Sequence, residues 1–264
     1  MRKVIVFLSL VAVGVSVLMP AGAQTQPKTI ARIITVRAKA GQGQQWEDAL
    51  KSLQSWEHQQ SVPGTSFSWN VISGDGFGAY VFGTFGHDWN DFDIMQAEGE
   101  KVGIGKEIGQ TVAPYTASVK ISYYRFLPDV STPITPGLPP TPMSVVTFFT
   151  LKPGGVEPVL NAIKQVGAGM EKTHWKGNGN PAGWYELVDG GEGPQLVLSI
   201  GLKNWAGLKE GSPSLVQMLV QAFGKAGAHA IEHEFDSNVR SVYTEIIRYR
   251  PDLSYNAPVE RASR

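Results

Sequence analysis

The stretch IARIITVRAKAGQGQQWEDALKSLQSW, residues 30–56, decides the fold, because SVVTFFTLKPGGVEPVLNAIKQVGAGM, residues 144–170, repeats its plan. Ile30 to Arg37 reads as a strand that stops at Lys39-Ala40-Gly41, and Ser144 to Leu151 as one that stops at Lys152-Pro153-Gly154. A helix follows each. Trp46, Ala49, Leu50, Leu53 and Trp56 recur at helical spacing in the first copy, and Val159, Ala162, Ile163, Val166 and Met170 in the second. A stripe of that period marks one helix face laid on a sheet. The interval from lysine to stripe is the same in both copies, which chance resemblance rarely reproduces.

Downstream, both copies keep the same order. Phe67, Trp69 and Val71 alternate with Ser66, Ser68 and Asn70, the period of a half-buried strand. Ser73-Gly74-Asp75-Gly76 turns the chain into a returning strand, Ala79 to Phe85. The second copy answers with Trp184 to Val188, the turn Asp189-Gly190-Gly191-Glu192-Gly193, and Gln195 to Leu202. These glycines lead into strands and not into helix N-termini, so they read as turns and not as phosphate cradles. Asp88-Trp89 and Asn204-Trp205 come next, with Asp88 or Asn90, and Asn204, as predicted helix N-caps. The second helix of the second copy carries Leu215, Met218, Leu219, Ala222 and Ala226 on one face. Its partner holds Gly99, Gly103, Gly105 and Gly109 and is expected to be poor or broken. Strands Ser118 to Phe126 and Val239 to Tyr249 close the copies, ending in Pro128-Asp129-Val130-Ser131 and Pro251-Asp252-Leu253-Ser254.

Each copy therefore reads β-α-β-β-α-β, the ferredoxin-like order. Residues 24–131 form the first unit and 143–254 the second. Residues 132–142, with five prolines, form an extended connector, and 255–264 a tail. Residues 1–23 are expected to be an export signal: Arg2 and Lys3, an apolar run from Val4 to Met19, then Ala21-Gly22-Ala23. The expected location is periplasmic or secreted, with no stable membrane insertion after cleavage. Equal numbers of acidic and basic residues argue against a nucleic-acid partner, and the absence of cysteine removes thiol chemistry and disulfides.

On this order of elements, on the tryptophan after the third strand and on the closing strand, the chain resembles the dimeric α/β-barrel superfamily. In that superfamily two ferredoxin-like units put their sheets face to face; the resemblance thus implies an α+β fold, two tandem units packed sheet to sheet as an intrachain barrel. A fused pair needs no second copy, so a monomer is expected. The superfamily includes antibiotic-biosynthesis-type monooxygenases and haem-degrading enzymes. In the latter a tryptophan in this region and a later helical histidine flank the ligand, which points here to Trp89, Trp205 and the second helix of the second unit. The spacing departs from that pattern, and the first unit has no histidine on its second helix.

Chemistry has few places to reside. His229 and His233 stand four apart and, on a continuous helix from Ser214 to Glu234, would share the face of Leu215 and Met218. They are the catalytic candidates, open to a haem or proton-shuttle role or to a structural one; with no third ligand at a recognisable spacing, no metal site is assigned. His87 beside Asp88, His58 and His174 read as cap, surface or loop residues. The favoured expectation is a small apolar or aromatic ligand in an inter-sheet cavity. Its candidate contacts are Trp69, Phe82, Trp89, Trp184, Trp205 and Tyr243, with Phe67 and Tyr80 nearby. A monooxygenase-like enzyme, cofactor-independent or haem-dependent, and an interaction module with a filled core are the alternatives. The residues name no cofactor.

Overall fold

The computed structural model describes residues 28–133, 138–177 and 179–256. The expected export signal, four linker positions and residues 257–264 of the tail lie outside them. The first unit runs β1 (Ile30–Ala38), α1 (Gly43–Gln59), β2 (Phe67–Val71), β3 (Tyr80–His87), α2 (Trp89–Val102), α3 (Ile104–Thr111) and β4 (Thr116–Phe126). The second runs β5 (Met143–Leu151), α4 (Val156–Thr173), β6 (Ala182–Asp189), β7 (Gln195–Leu202), α5 (Leu215–Asn238) and β8 (Val239–Tyr249).

The strands form a single closed antiparallel barrel in the order β1-β3-β2-β8-β5-β7-β6-β4. Each unit contributes the four-stranded ferredoxin-like sheet. The edges of the two sheets do not merely stack; they hydrogen-bond. β2 pairs with β8 through Trp69 and Tyr249, and β4 pairs with β6 through Phe126 and Tyr185. Closure leaves no open sheet edge in the barrel.

The repeated motifs explain how the seams hold. Lys39 and Lys152 each donate Nζ to a carbonyl just before the closing strand of their own unit, Pro114 and Ser237, both at 2.6 Å. The Pro-Asp-x-Ser motifs instead cross over. Leu253 of the second unit is buried in the first unit's core with Trp46, Leu50 and Tyr80, while Val130 of the first packs against the second unit's Val159 and Leu196. Ser254 Oγ accepts from Ser68 N, and Ser131 Oγ accepts from Trp184 N, the same exchange in both directions. Each unit thus completes its core with a residue of the other.

The helices depart from the sequence expectation in one respect. Glycine breaks the second helix in both units. In the first, Gly103 (φ 76°) separates α2 from α3; in the second, Gly224 (φ 73°, ψ 169°) kinks α5. Only glycine enters that region without cost. Asp88 caps α2 through a reciprocal capping box with Asp91, whereas Asn204 caps only a 3₁₀ turn, Trp205–Leu208, and Ser214 with Gln217 caps α5. The tail expected from 255 begins later: Tyr255 is buried, pairs with Ser66 and donates its hydroxyl to Val62 O at 2.7 Å.

Candidate binding site inside the barrel

Strand residues alternate between the barrel interior and the helix layer, so parity decides which side chains meet in the centre. Ala31, Ile33, Thr35 and Arg37 of β1 point inward, as do Phe67, Trp69 and Val71 of β2 and Tyr243, Glu245 and Ile247 of β8. The inward positions do not fill the space. Ala31, Ser122, Ser144, Ser199, Gly183 and Gly201 are too small to meet across an eight-stranded barrel, and a cavity of about 1100 Å³ remains.

The cavity changes character along its axis. Its lower end, where β4 leaves and β5 enters, is bounded by Phe85, Phe126, Thr132, Pro133 and Leu138 to Thr141, with Lys28 as its one charged residue among those lining it. The described part of the proline-rich connector therefore forms a wall of the cavity. The middle is an aromatic and aliphatic belt that includes Trp69, Val81, Tyr124, Val146, Tyr185 and Val197. At the seams Trp69 faces Tyr249 (ring centroids 6.1 Å) and Tyr185 faces Phe126 (5.4 Å). Trp69 Nε1 and the Tyr249 hydroxyl are both buried without a hydrogen-bond partner. Burial pushes the Tyr185 phenol up to about 12.

The upper end is charged. Arg37, Asp75, Lys120 and Glu245 line it beside Tyr243, which stacks on Phe148 at 4.4 Å. Arg37 donates to the carbonyls of Asp75 (2.9 Å) and Phe77 (3.2 Å) and so holds the β2–β3 hairpin over the opening. Glu245 lies against Gly76, where any Cβ would strike its carboxylate. Burial raises the Glu245 carboxyl; the Gly76 backbone N–H and the nearby Arg37 act in the opposite direction.

Of the six aromatics expected at a ligand, Trp69 and Tyr243 line the cavity. Phe82 and Trp184 have the other parity: Phe82 meets Trp46 under α1, and Trp184 meets Phe149 beneath the second unit's helices. Tyr80 also lies on the helix side, stacked on Trp46 at 4.3 Å. Trp89 and Trp205 are about half exposed, at 50% and 51%, outside the barrel.

The histidine pair is not in the site. Gly224 resets the phase of α5, so Ala228 and Ile231 become its buried residues and His229 and His233 face outward. Their rings are 6.3 Å apart, and among the described residues no group of three metal-ligating side chains occurs. An axial ligand to a haem in the cavity cannot come from this face. His174 ends α4 in a left-handed conformation and His58 stacks on Tyr255 at 4.6 Å.

The interior polar residues Lys120, Ser122, Glu245 and Arg37 escaped the sequence reading. Their signal was the alternation of β1, β4 and β8, which a search for aromatic residues passes over.

The chain folds as one closed α/β barrel of two ferredoxin-like units within one polypeptide. No family model matches its sequence, and no curated protein is significantly similar to it. Among solved structures, an anthrone oxidase-like protein is 14% identical, with 89% of this chain and 97% of that one covered and a TM-score of 0.49. A candidate monooxygenase of Lactobacillus acidophilus NCFM is 10% identical, with 84% and 94% covered and a TM-score of 0.48. The chlorite dismutase of Candidatus Nitrospira defluvii is 10% identical, with 86% and 93% covered and a TM-score of 0.49. No residue role is transferred to this barrel from any of them.

Proposed function

We propose that this barrel binds one small, largely apolar or aromatic molecule in its interior. One observation carries the reading: a barrel whose ring of strands is closed by its own two halves leaves about 1100 Å³ unfilled, lined chiefly by aromatic and aliphatic side chains. That volume matches a small-molecule site, and eight strands are the size at which a barrel either fills itself or holds one ligand. The buried, unpartnered indole N–H of Trp69 and hydroxyl of Tyr249 favour a ligand that carries a hydrogen-bond acceptor at its apolar end. The charged upper end favours a polar group at the other.

The protein acts, on this reading, as an exported monomer. Arg2-Lys3, the apolar run and Ala21-Gly22-Ala23 support export, and the intramolecular closure of the barrel supports the monomer. Among the described residues no helix is long and apolar enough to cross a membrane.

A second reading, a cofactor-independent oxygenase, is favoured by Glu245. A half-buried carboxylate at the cavity end, with its proton affinity raised by burial, suits removal of a proton from a phenol or an activated C–H of the ligand.

The test is a titration of the chain from Gln24 with N-phenyl-1-naphthylamine, a neutral aromatic probe that fluoresces in apolar surroundings. A saturable increase at one probe per chain is expected. Replacing Val146 by Phe together with Ser199 by Leu narrows the belt and should weaken binding severalfold while leaving the melting temperature unchanged or higher. Absence of saturation in the parent chain, or unchanged affinity in the narrowed variant, would overturn the proposal. Oxygen uptake that depends on Glu245, lost in Glu245→Gln, would favour the second reading.

A further inference from the structure

On the outer face of the first unit's sheet, three polar atoms are buried without partners: Arg32 Nε, Thr84 Oγ1 and His87 Nε2. They belong to one neighbourhood of the sheet. Arg32 and Thr84 are cross-strand partners on β1 and β3, and Tyr123 of β4 flanks Arg32 on its other side. Phe92 of α2 covers the group, with the Arg32 guanidinium 5.7 Å from its ring centre and the His87 ring 5.1 Å from it. Gly86, at φ 75°, turns the chain so that His87 lies under α2.

The second unit shows what this row needs for stability alone. There the corresponding cross-strand row is Ile200, Val145 and Ile246, all apolar. The same row in the same sheet thus packs without polar atoms in one unit and carries a guanidinium, a hydroxyl and a phenol in the other. Among the described residues no acidic side chain pairs with Arg32. The acids nearest the imidazole are engaged elsewhere: Asp91 accepts from Lys28 at 2.7 Å and from the Asp88 backbone, and Asp88 accepts from the Asp91 backbone. Asp91 approaches Nδ1 of His87 at 3.7 Å, the opposite edge of the ring from Nε2. A partly buried guanidinium without a counter-ion, next to two unfilled hydrogen-bonding atoms, calls for an oxygen-rich anionic group.

We infer that the polar cluster beneath α2, Arg32 and Thr84 with His87, Tyr123 and Phe92 around them, is a binding site for a small oxyanion of carboxylate or phosphate type. It is separate from the barrel cavity, on the other face of the sheet, and does not depend on the reading of that cavity. Arg32 Nε–H and the Thr84 hydroxyl donate to the anion, and the His87 ring, whose Nδ1 faces Asp91, borders the site and reports on it.

The experiment titrates the chain from Gln24, at constant ionic strength set with chloride, with sodium formate and separately with inorganic phosphate. The His87 imidazole is followed by carbon–proton NMR. A saturable shift at one anion per chain is expected with at least one of them. Saturation by formate alone assigns a carboxylate, and by phosphate alone a tetrahedral anion. Arg32→Val with Thr84→Ile installs the second unit's pair and should weaken the response by about tenfold or more. If that variant does not fold, Arg32→Gln is read the same way. A shift that never saturates with either anion, as expected if water alone occupies the pocket, overturns the inference; so does a saturable shift that survives the substitution.

Discussion

The two halves share a backbone plan and seams, yet they solve the same packing problem with different chemistry. At the β2–β8 seam Arg250 donates to Glu47 Oε2 (2.7 Å) and to Asn70 (2.7 Å), Tyr80 donates to Glu47 (2.9 Å), and Asp252 holds the guanidinium from outside (2.7 Å). At the β4–β6 seam the residue before the Pro-Asp motif is Leu127, and it packs with Leu160 and Leu196. Leu127 stands where Arg250 stands, Leu160 where Glu47 stands, and Leu196 where Tyr80 stands. The β4–β6 seam has an ion pair of its own, Arg125 to Glu186 at 3.0 Å, but at the place of the clasp it uses an apolar contact, so the clasp at the other seam is a choice of chemistry and not a demand of the fold. The difference teaches where to look for specialisation: among the described residues the first unit carries five of the six buried side-chain atoms without a hydrogen-bond partner.

The largest effect should come from the element that the halves share most strictly. Gly74 and Gly190 both sit at φ 81° in their hairpins and press against the closing strand of the other unit. A Cβ on Gly74 would lie 2.7 Å from the carbonyl oxygen of Thr244, and one on Gly190 would collide with that of Ile121. Neither backbone carbonyl can yield without opening a seam. Gly190→Ala is expected to destabilise by about 3 kcal/mol and Gly74→Ala by somewhat less, from strain and collision together. Urea unfolding of both variants checks the order. Equal, negligible losses would show that the hairpins do not hold the seams.

The clasp breaks the comparison next. Arg250→Ala leaves Glu47 partly buried beside Tyr80 with its charge uncompensated, and should cost about 2 kcal/mol. Replacing Arg250, Glu47 and Tyr80 together by leucine imports the other seam and should be neutral or stabilising. Arg250 and Tyr80 hydrogen bonds hold the Glu47 carboxyl below its ordinary range, against its burial. A depressed carboxyl contributes stability that is present above the unfolded value and is lost as pH falls through the folded one. The parent chain should therefore lose stability on acidification more steeply than the leucine triple variant. Parallel acid titrations of the two would sink the clasp as a pH-sensitive element.

Much of this architecture was legible in residues 30–56 and 144–170, because duplicated period and duplicated turns constrain each other. The closed barrel was less so. Which edge strands join is set by Trp69 against Tyr249 and Phe126 against Tyr185, contacts between halves that no local pattern encodes. The site suffered most from phase. Parity along a strand is exact once the strand's face is known, and counting aromatics without it put Phe82 and Trp184 beside Trp69. The helix argument for His229 and His233 failed at one residue, since Gly224 rotates everything after it. The polar row of Arg32, Thr84 and His87 was also hidden, because it declares itself only when set beside Val145 and Ile200 in register.

The smallest effect is the most direct comparison of the two first helices. Glu57 lies one residue after Trp56 on α1, and the matching place on α4 is Met170, packed against the Ala162 and Met218 cluster. Burial alone pushes the Glu57 carboxyl up to about 7. Its folded value is above its unfolded one, so its contribution is fully present below the unfolded value and fades as pH rises through about 7. Glu57→Met installs the second half's residue and removes that dependence. It should match the parent chain more closely below about pH 5 and exceed it by about 1 kcal/mol above about pH 8. Paired urea unfolding at the two pH values tests this. A constant difference between the chains would mean that Glu57 stays ionised in the fold and that water, which an apolar helix layer would exclude, reaches this end of α1.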